Sequence, residues 1–406
     1  VNSAWKKKIF PSYALSSFVL LLLCFVNVLK HWPIVTWIGL HQPLNYGDAN
    51  IILKAADCYA QYGSEIFLKT NELCPYNYGQ PLLQVLSVLG LGAQHTFLIA
   101  LFFMISTIFC FLGILHYLSP AAKISFQFFA VLLFTCPPLM LLLERANFDA
   151  LIFSLACLAI FLKIRGYGSL AILATSLTVL FKFYTFPVLV YLCLIEKNRW
   201  KKFFAVILVI LSGYSAYSDL QKIMDGFSIP SPMVFSFGAS KFVYIFSESL
   251  GFENTRFVET LGGLIFFGFI LGSFWKVSGK FSELRKMRSE WTGLSLTKIF
   301  VLKFLFIIHI SVYLTGMSYV YRLVFLIPLI SFCNSLGAKG YKYLGRAGVL
   351  GFLICFPYPS NRSWAFGGLE IIGEFFILLI TTVLAWLFLS GINLVEFKTR
   401  FRKIFN

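Results

Sequence analysis

Charged side chains are scarce in this sequence, 13 % of 406 residues, and acidic ones scarcer still, 17 Asp and Glu against 34 Lys and Arg. A water-facing globular surface needs about a quarter of its residues charged, so a soluble protein of this size is excluded. The five histidines (His31, His41, His95, His116, His309) are scattered, and no Cys/His spacing matches a zinc site; neither a metal nor a cofactor is expected. There is no internal repeat and no low-complexity segment, hence no sign of the two related halves on which many transporters are built. No small-residue cleavage pattern follows the first apolar run, which leads into Asn27, Lys30, His31 and Trp32. A retained signal anchor is therefore expected in place of a removed leader.

What is abundant is apolar surface: 59 % hydrophobic residues and a mean hydropathy of +0.81. The chain reads as an all-α polytopic membrane protein with about twelve transmembrane helices. The expected spans are roughly 12–30, 95–117, 124–143, 149–163, 168–182, 183–196, 203–218, 259–276, 299–316, 322–338, 345–357 and 370–394. They form a single domain, 1–406, with two excursions outside the membrane, 30–94 and 219–258. The 168–196 pair is short on both sides of Lys182 and carries Pro187, so it reads either as two spans or as a broken, re-entrant hairpin lining a polar cavity.

Orientation follows from the basic residues, because short Lys/Arg-rich loops stay cytoplasmic. Placing Lys6, Lys7 and Lys8 inside puts 23 of the 34 basic residues inside, at 123, 163–165, 197–202, 276–298, 339–346 and 398–403, with only four of the 17 carboxylates (Glu196, Glu283, Glu290, Glu396). Both termini are then cytoplasmic, and the outer loops are acidic. The net charge of +17 is accounted for by this asymmetry and by anionic membrane lipids, with no nucleic-acid partner.

The densest ionisable group lies between two apolar runs: Glu144, Arg145, Asn147 and Asp149. Ionisable residues at or inside the membrane are costly unless paired or bound to something polar, which makes such a cluster a site hypothesis. The plainer reading is a helix-start salt bridge, with Arg145 and Asp149 four apart on one helical face. In the first outer loop, Asp48 precedes a helical pattern over Ala49–Tyr62 that stops at Gly63, which suits an Asp cap and a Gly terminator. Asp57 is nine residues further and points away from Asp48; with Lys54 one turn before it, it reads as a surface ion pair. Cys58 and Cys74 are the two cysteines outside the expected spans. A disulfide between them would pin the loop helix to the segment after Pro75 in an oxidising compartment, the alternative being two unrelated thiols.

Arg145, Lys182 and Arg322 depart from the cytoplasmic majority and fall at the outer ends of spans. Each could merely snorkel to the interface. Converging, outward-facing cations beside outward-facing carboxylates instead suit a lipid-linked phosphate with a hydroxylated headgroup.

Several of these segments, in order, resemble the integral-membrane glycosyltransferases of the GT-C fold, most nearly the polyprenyl-phosphate-mannose-dependent glycosyltransferase family 87. The resemblance rests on Tyr46, Gly47 and Asp48, then Asp57, Cys58 and 71–78. It continues through Glu144 to Asp149, Lys182 at the end of 170–181, and Tyr321 to Phe325 before Pro328. It implies an inverting transfer of a hexose, mannose favoured, from a polyprenyl-phosphate-sugar to a glycolipid or glycan acceptor. Asp48 would be the general base with Asp57 in reserve, Arg145, Lys182 and Arg322 would hold the donor phosphate, and Glu144, Asn147 and Asp149 would orient the sugar. Tyr78, Gly79 and Gln80 depart from the family, where Tyr is often followed by Pro. The alternatives are a secondary transporter or lipid-linked-sugar flippase, and a surface-polysaccharide polymerase or ligase. With no eukaryotic targeting signal in the sequence, a bacterial inner membrane is expected.

Overall fold

A computed structural model describes residues 46–63, 80–119, 133, 136–226, 236–249, 256–314, 318–354 and 364–390. Its helices are α1 Gly47–Tyr62, α2 Gln80–Val88, α3 Thr96–Leu118, α4 Pro137–Glu144, α5 Asp149–Ile164, α6 Gly168–Phe181, α7 Phe186–Ile195, α8 Arg199–Gly226, α9 Ala239–Ser249, α10 Arg256–Ser278, α11 Ser282–Thr292, α12 Leu296–Leu314, α13 Ile327–Cys333, α14 Lys339–Ile354 and α15 Trp364–Ser390. Three 3-10 turns, Ala93–His95, Phe183–Thr185 and Val320–Phe325, and one antiparallel bridge, β1 Ser236–Phe237 with β2 Ser318–Tyr319, complete the described elements.

Among the described residues, four helical stretches are long and apolar enough to cross a membrane: Ala93–Leu118, Val258–Ser278, Leu296–Leu314 and Ile371–Ser390. They match four of the expected spans, and the protein is a helical membrane protein on this ground. The expected span 12–30 and most of 124–143 lie outside the described residues. Within the expected span 322–338 the described residues form a 3-10 turn followed by the seven-residue α13, with Leu323 to Cys333 buried. α8 runs as helix through Gly226, into the stretch expected as the second excursion.

Proline explains the short pieces. Pro187 has no N–H and its ring would clash with the carbonyl of Phe183, so a helix from 168 cannot run through it. The chain breaks one turn earlier, with Lys182 extended (φ −151°, ψ 119°), and restarts with proline in the first turn of α7. Pro328 acts in the same way on the 3-10 turn before α13. Lys182 and Arg322 each stand shortly before such a proline, Lys182 on extended backbone and Arg322 within the 3-10 turn.

Helix direction places the two ends of the molecule. α5 carries Asp149 in its first turn and Lys163 in its last, each complementing the helix dipole, and α6 returns antiparallel so that Lys182 arrives level with Asp149. α10 and α15 run the same way, Phe242 meeting both Phe266 and Phe375 while Phe274 meets Trp386. α12 runs against them, with His309 bonded to Thr381 at 3.0 Å and Phe306 stacked on Phe388. The end of α12 and the starts of α5, α10 and α15 therefore share one end. At the other lie Lys163 on Glu196 (2.7 Å), Arg288 on the Ser390 carbonyl, and Tyr341 donating to the Met287 carbonyl. The basic joints 163–165, 197–202, 276–298 and 339–346 all fall at this second end.

Candidate functional site

The first turn of α1 and the turn between α4 and α5 meet at Arg145. α1 begins at Gly47 with Tyr46 (φ 60°) before it and no side-chain cap. The expectation that Asp48 caps the helix is corrected: the carbonyl of Arg145 takes the amides of Asp48 (3.1 Å) and Ala49 (3.4 Å), satisfying donors that a helix start leaves orphaned. Gly63 (φ 58°) ends the helix as expected, its amide returning to the Tyr59 carbonyl.

Arg145 is placed by the end of α4. The amide of Ala146 bonds to the Leu143 carbonyl and that of Asn147 to the Leu142 carbonyl, the paired bonds of a Schellman motif. The left-handed position of that motif usually holds glycine; here it is Ala146, φ 46° and fully buried. The turn separates Arg145 from α5, so the local Arg145–Asp149 salt bridge does not form. Instead Arg145 donates from Nε to Asp48 Oδ1 at 2.8 Å, with a second guanidinium nitrogen on the same oxygen.

Asn147 connects the two carboxylates. Its Nδ2 donates to Asp48 Oδ2 at 2.6 Å, and its Oδ1 accepts the amide of Asp149 at 2.8 Å. Asp149 is fully buried. Oδ1 receives Lys182 Nζ at 3.0 Å and the Tyr184 hydroxyl at 2.8 Å, and Oδ2 receives Arg322 Nε at 3.0 Å. The Arg322 guanidinium also lies 5.1 Å from the centre of the Tyr184 ring. Below, Phe325 packs edge-on against both Phe153 and Tyr184, and Phe148 against Phe103. The site floor is thus apolar, which strengthens every charge interaction above it.

Of the expected site residues, the fold brings together Asp48, Arg145, Asn147, Asp149, Lys182 and Arg322. Glu144 closes α4, and its side chain lies outside the described residues. Asp57 is not in the cluster: it lies on the exposed side of α1, where Oδ2 accepts the amide of Ala93 at 2.9 Å at the start of the turn into α3. The expected surface pair with Lys54 is replaced by that bond. Cys58 is disulfide-bonded; Cys74, its expected partner, lies outside the described residues. No group of three or more His, Cys, Asp or Glu capable of holding a metal occurs among the described residues.

Two features escaped the sequence. Tyr184 joins the site because the break at Lys182 turns it back toward Asp149, and nothing in its spacing announces this. Lys241, within the stretch expected as the excursion 219–258, is buried against Glu374 of α15 at 3.5 Å. Glu374 could have been found, since a carboxylate inside an apolar run is itself a signal.

Asp48 and Asp149 set two negative charges against three positive ones on Arg145, Lys182 and Arg322. The surplus is one positive charge among these five groups. Access is graded: Arg145 is the most exposed cation, with 32 % of its side chain accessible against 18 % for Arg322 and 8 % for Lys182. The most exposed of the three cations is therefore the one paired with Asp48. Comparison with protein families, with curated proteins and with solved structures finds no match for this chain.

Proposed function

We propose that the protein is an integral-membrane, inverting glycosyltransferase that moves a hexose, mannose favoured, from a polyprenyl-phosphate-sugar to a glycolipid or glycan acceptor. The observation that carries this reading is the juxtaposition of the accessible cation Arg145 with the carboxylate Asp48, above two deeper cations that share Asp149. A phosphodiester leaving group needs fixed positive charge, and an acceptor hydroxyl needs a carboxylate within hydrogen-bond reach.

Asp48 has both oxygens engaged, by Arg145 and Asn147. While both are held, neither oxygen is open to an acceptor hydroxyl. Donor phosphate binding to Arg145 competes with Asp48 for the guanidinium and frees the carboxylate. Asp48 then takes the proton of the acceptor hydroxyl as its oxygen bonds to the anomeric carbon. The bond from that carbon to the phosphate oxygen breaks, and polyprenyl phosphate leaves carrying the electron pair. Attack opposite the leaving group inverts the centre. Asn147 and Asp149 act by position, Asn147 steering Asp48 and Asp149 holding Lys182 and Arg322.

In this reading the basic joints and both termini are cytoplasmic, the site opens at the outer face, and the membrane is a bacterial inner membrane. The test is transfer of radiolabelled sugar from a panel of polyprenyl-phosphate sugars to endogenous glycolipid in membranes expressing the chain. Transfer from one donor, lost in Asp48→Asn at equal protein level, supports the reading. No transfer from any donor would overturn it in favour of a transporter.

A further inference from the structure

A deeply buried pair of opposite charges lies outside the site. Lys241 Nζ stands 3.5 Å from Glu374 Oε1, with 4 % and 1 % of the side chains accessible. Replacing such a pair with apolar residues of similar volume is often neutral or stabilising. What a buried ion pair can supply instead is register, because few placements satisfy both groups.

Lys241 lies in the first turn of α9. The start of that helix is fixed closely: Gly238 (φ 135°) turns the chain into it, and a methyl group on Gly263 of α10 would lie 2.7 Å from the amide nitrogen of Ser240. Immediately before it is β1, which pairs Ser236 with Tyr319 and Phe237 with Ser318. A two-residue bridge has little hold of its own; its place is inherited from what anchors it. Three residues beyond Tyr319 is Arg322, whose Nε reaches Asp149 at 3.0 Å.

We propose that the Lys241–Glu374 pair is a positioning device for Arg322. It fixes residues 236–241 against α15, and the β1–β2 bridge carries that fixation to the segment that delivers Arg322 to Asp149. Only what Arg322 binds rests on the transferase reading; its mechanical coupling to Lys241 does not.

The full chain is purified in lipid nanodiscs as wild type, Lys241→Met, Glu374→Gln, the charge exchange Lys241→Glu with Glu374→Lys, and the charge-keeping Glu374→Asp. Amide hydrogen exchange is followed by mass spectrometry. The neutralised variants are expected to exchange about tenfold faster over 318–325, with 149–164 unchanged and the charge exchange moving back toward wild type. Glu374→Asp, which retains the charge but withdraws it, gives a smaller increase in the same segment and serves if the neutral variants do not fold. Exchange at 318–325 that stays at the wild-type rate, or rises evenly along the chain, would overturn the coupling. Binding of polyprenyl monophosphate is the second readout. Lys241→Met is expected to weaken it about tenfold, and to add no loss in an Arg322→Gln background. Independent, multiplying losses would overturn the link to Arg322. Absence of wild-type binding would remove the donor reading, with the exchange result still deciding the coupling.

Discussion

Arg145 holds Asp48 from two sides: its carbonyl accepts the Asp48 amide at 3.1 Å, and its guanidinium closes on the Asp48 carboxylate with Nε at 2.8 Å. One residue thus starts helix α1 and restrains the carboxylate that α1 presents. Asp48 is thus committed to the most exposed cation of the cluster.

Asp48→Asn should therefore have two opposite effects. Sugar transfer falls by about 10²–10⁴-fold with the loss of a general base. Affinity for polyprenyl monophosphate rises several-fold, about the factor lost when a carboxylate competes for a guanidinium, because Arg145 is released. Transfer kinetics and equilibrium binding on the same preparation check both. Unchanged affinity would show that Asp48 and the phosphate do not compete.

Asp149→Asn leaves Lys182 and Arg322 buried together without their shared counter-charge. Removing one partner from a buried ionic group costs about 3–5 kcal/mol. The thermal midpoint of the purified protein is expected to fall sharply. Arg322→Lys, which keeps the charge but loses the planar fork and the stacking on Tyr184, should lower it less. Equal midpoints for Asp149→Asn and wild type would mean that the three-way pairing contributes nothing.

Ala146 occupies a left-handed position without being glycine. Ala146→Gly removes a local strain of order 1 kcal/mol and should leave transfer intact. Ala146→Val adds a β-branched side chain at positive φ in a fully buried place and should reduce the folded yield. Transfer assays and size-exclusion profiles separate the two outcomes. Equal behaviour of the two variants would remove the Schellman turn from the account of how Arg145 is placed.

Cys58 ties α1, and with it Asp48, to another part of the chain through its disulfide. Cys58→Ser, or reduction of the native protein, is expected to cost about 2–5 kcal/mol. Unfolding scans with and without reductant report this directly. A midpoint insensitive to both would make the bond dispensable.

The Arg145-to-Asp149 cluster and the three basic residues were legible because the sequence around them is so apolar that each charge stands out. The break at Lys182 was legible too, since Pro187 forbids a continuous helix. The pairing was not. Spacing suggested Arg145 with Asp149, and Asp57 with Lys54, because residues four or three apart share a helix face; a left-handed Ala146 and the end of α4 remove the first premise. Ala93, 36 residues away, takes Asp57.

By itself the sequence determined the membrane class, the apolar helices, the places where proline interrupts them, and the clustering of the basic joints, all of which depend on local composition and backbone chemistry. Only the tertiary structure decided which charge faces which. Asp48 reaches Arg145 across 97 positions and Asp149 reaches Arg322 across 173, while Lys241 meets Glu374 through the packing of helices far apart in the chain. Such pairings are set by which helix ends are brought to one end of the molecule, a property of packing that no window of sequence contains.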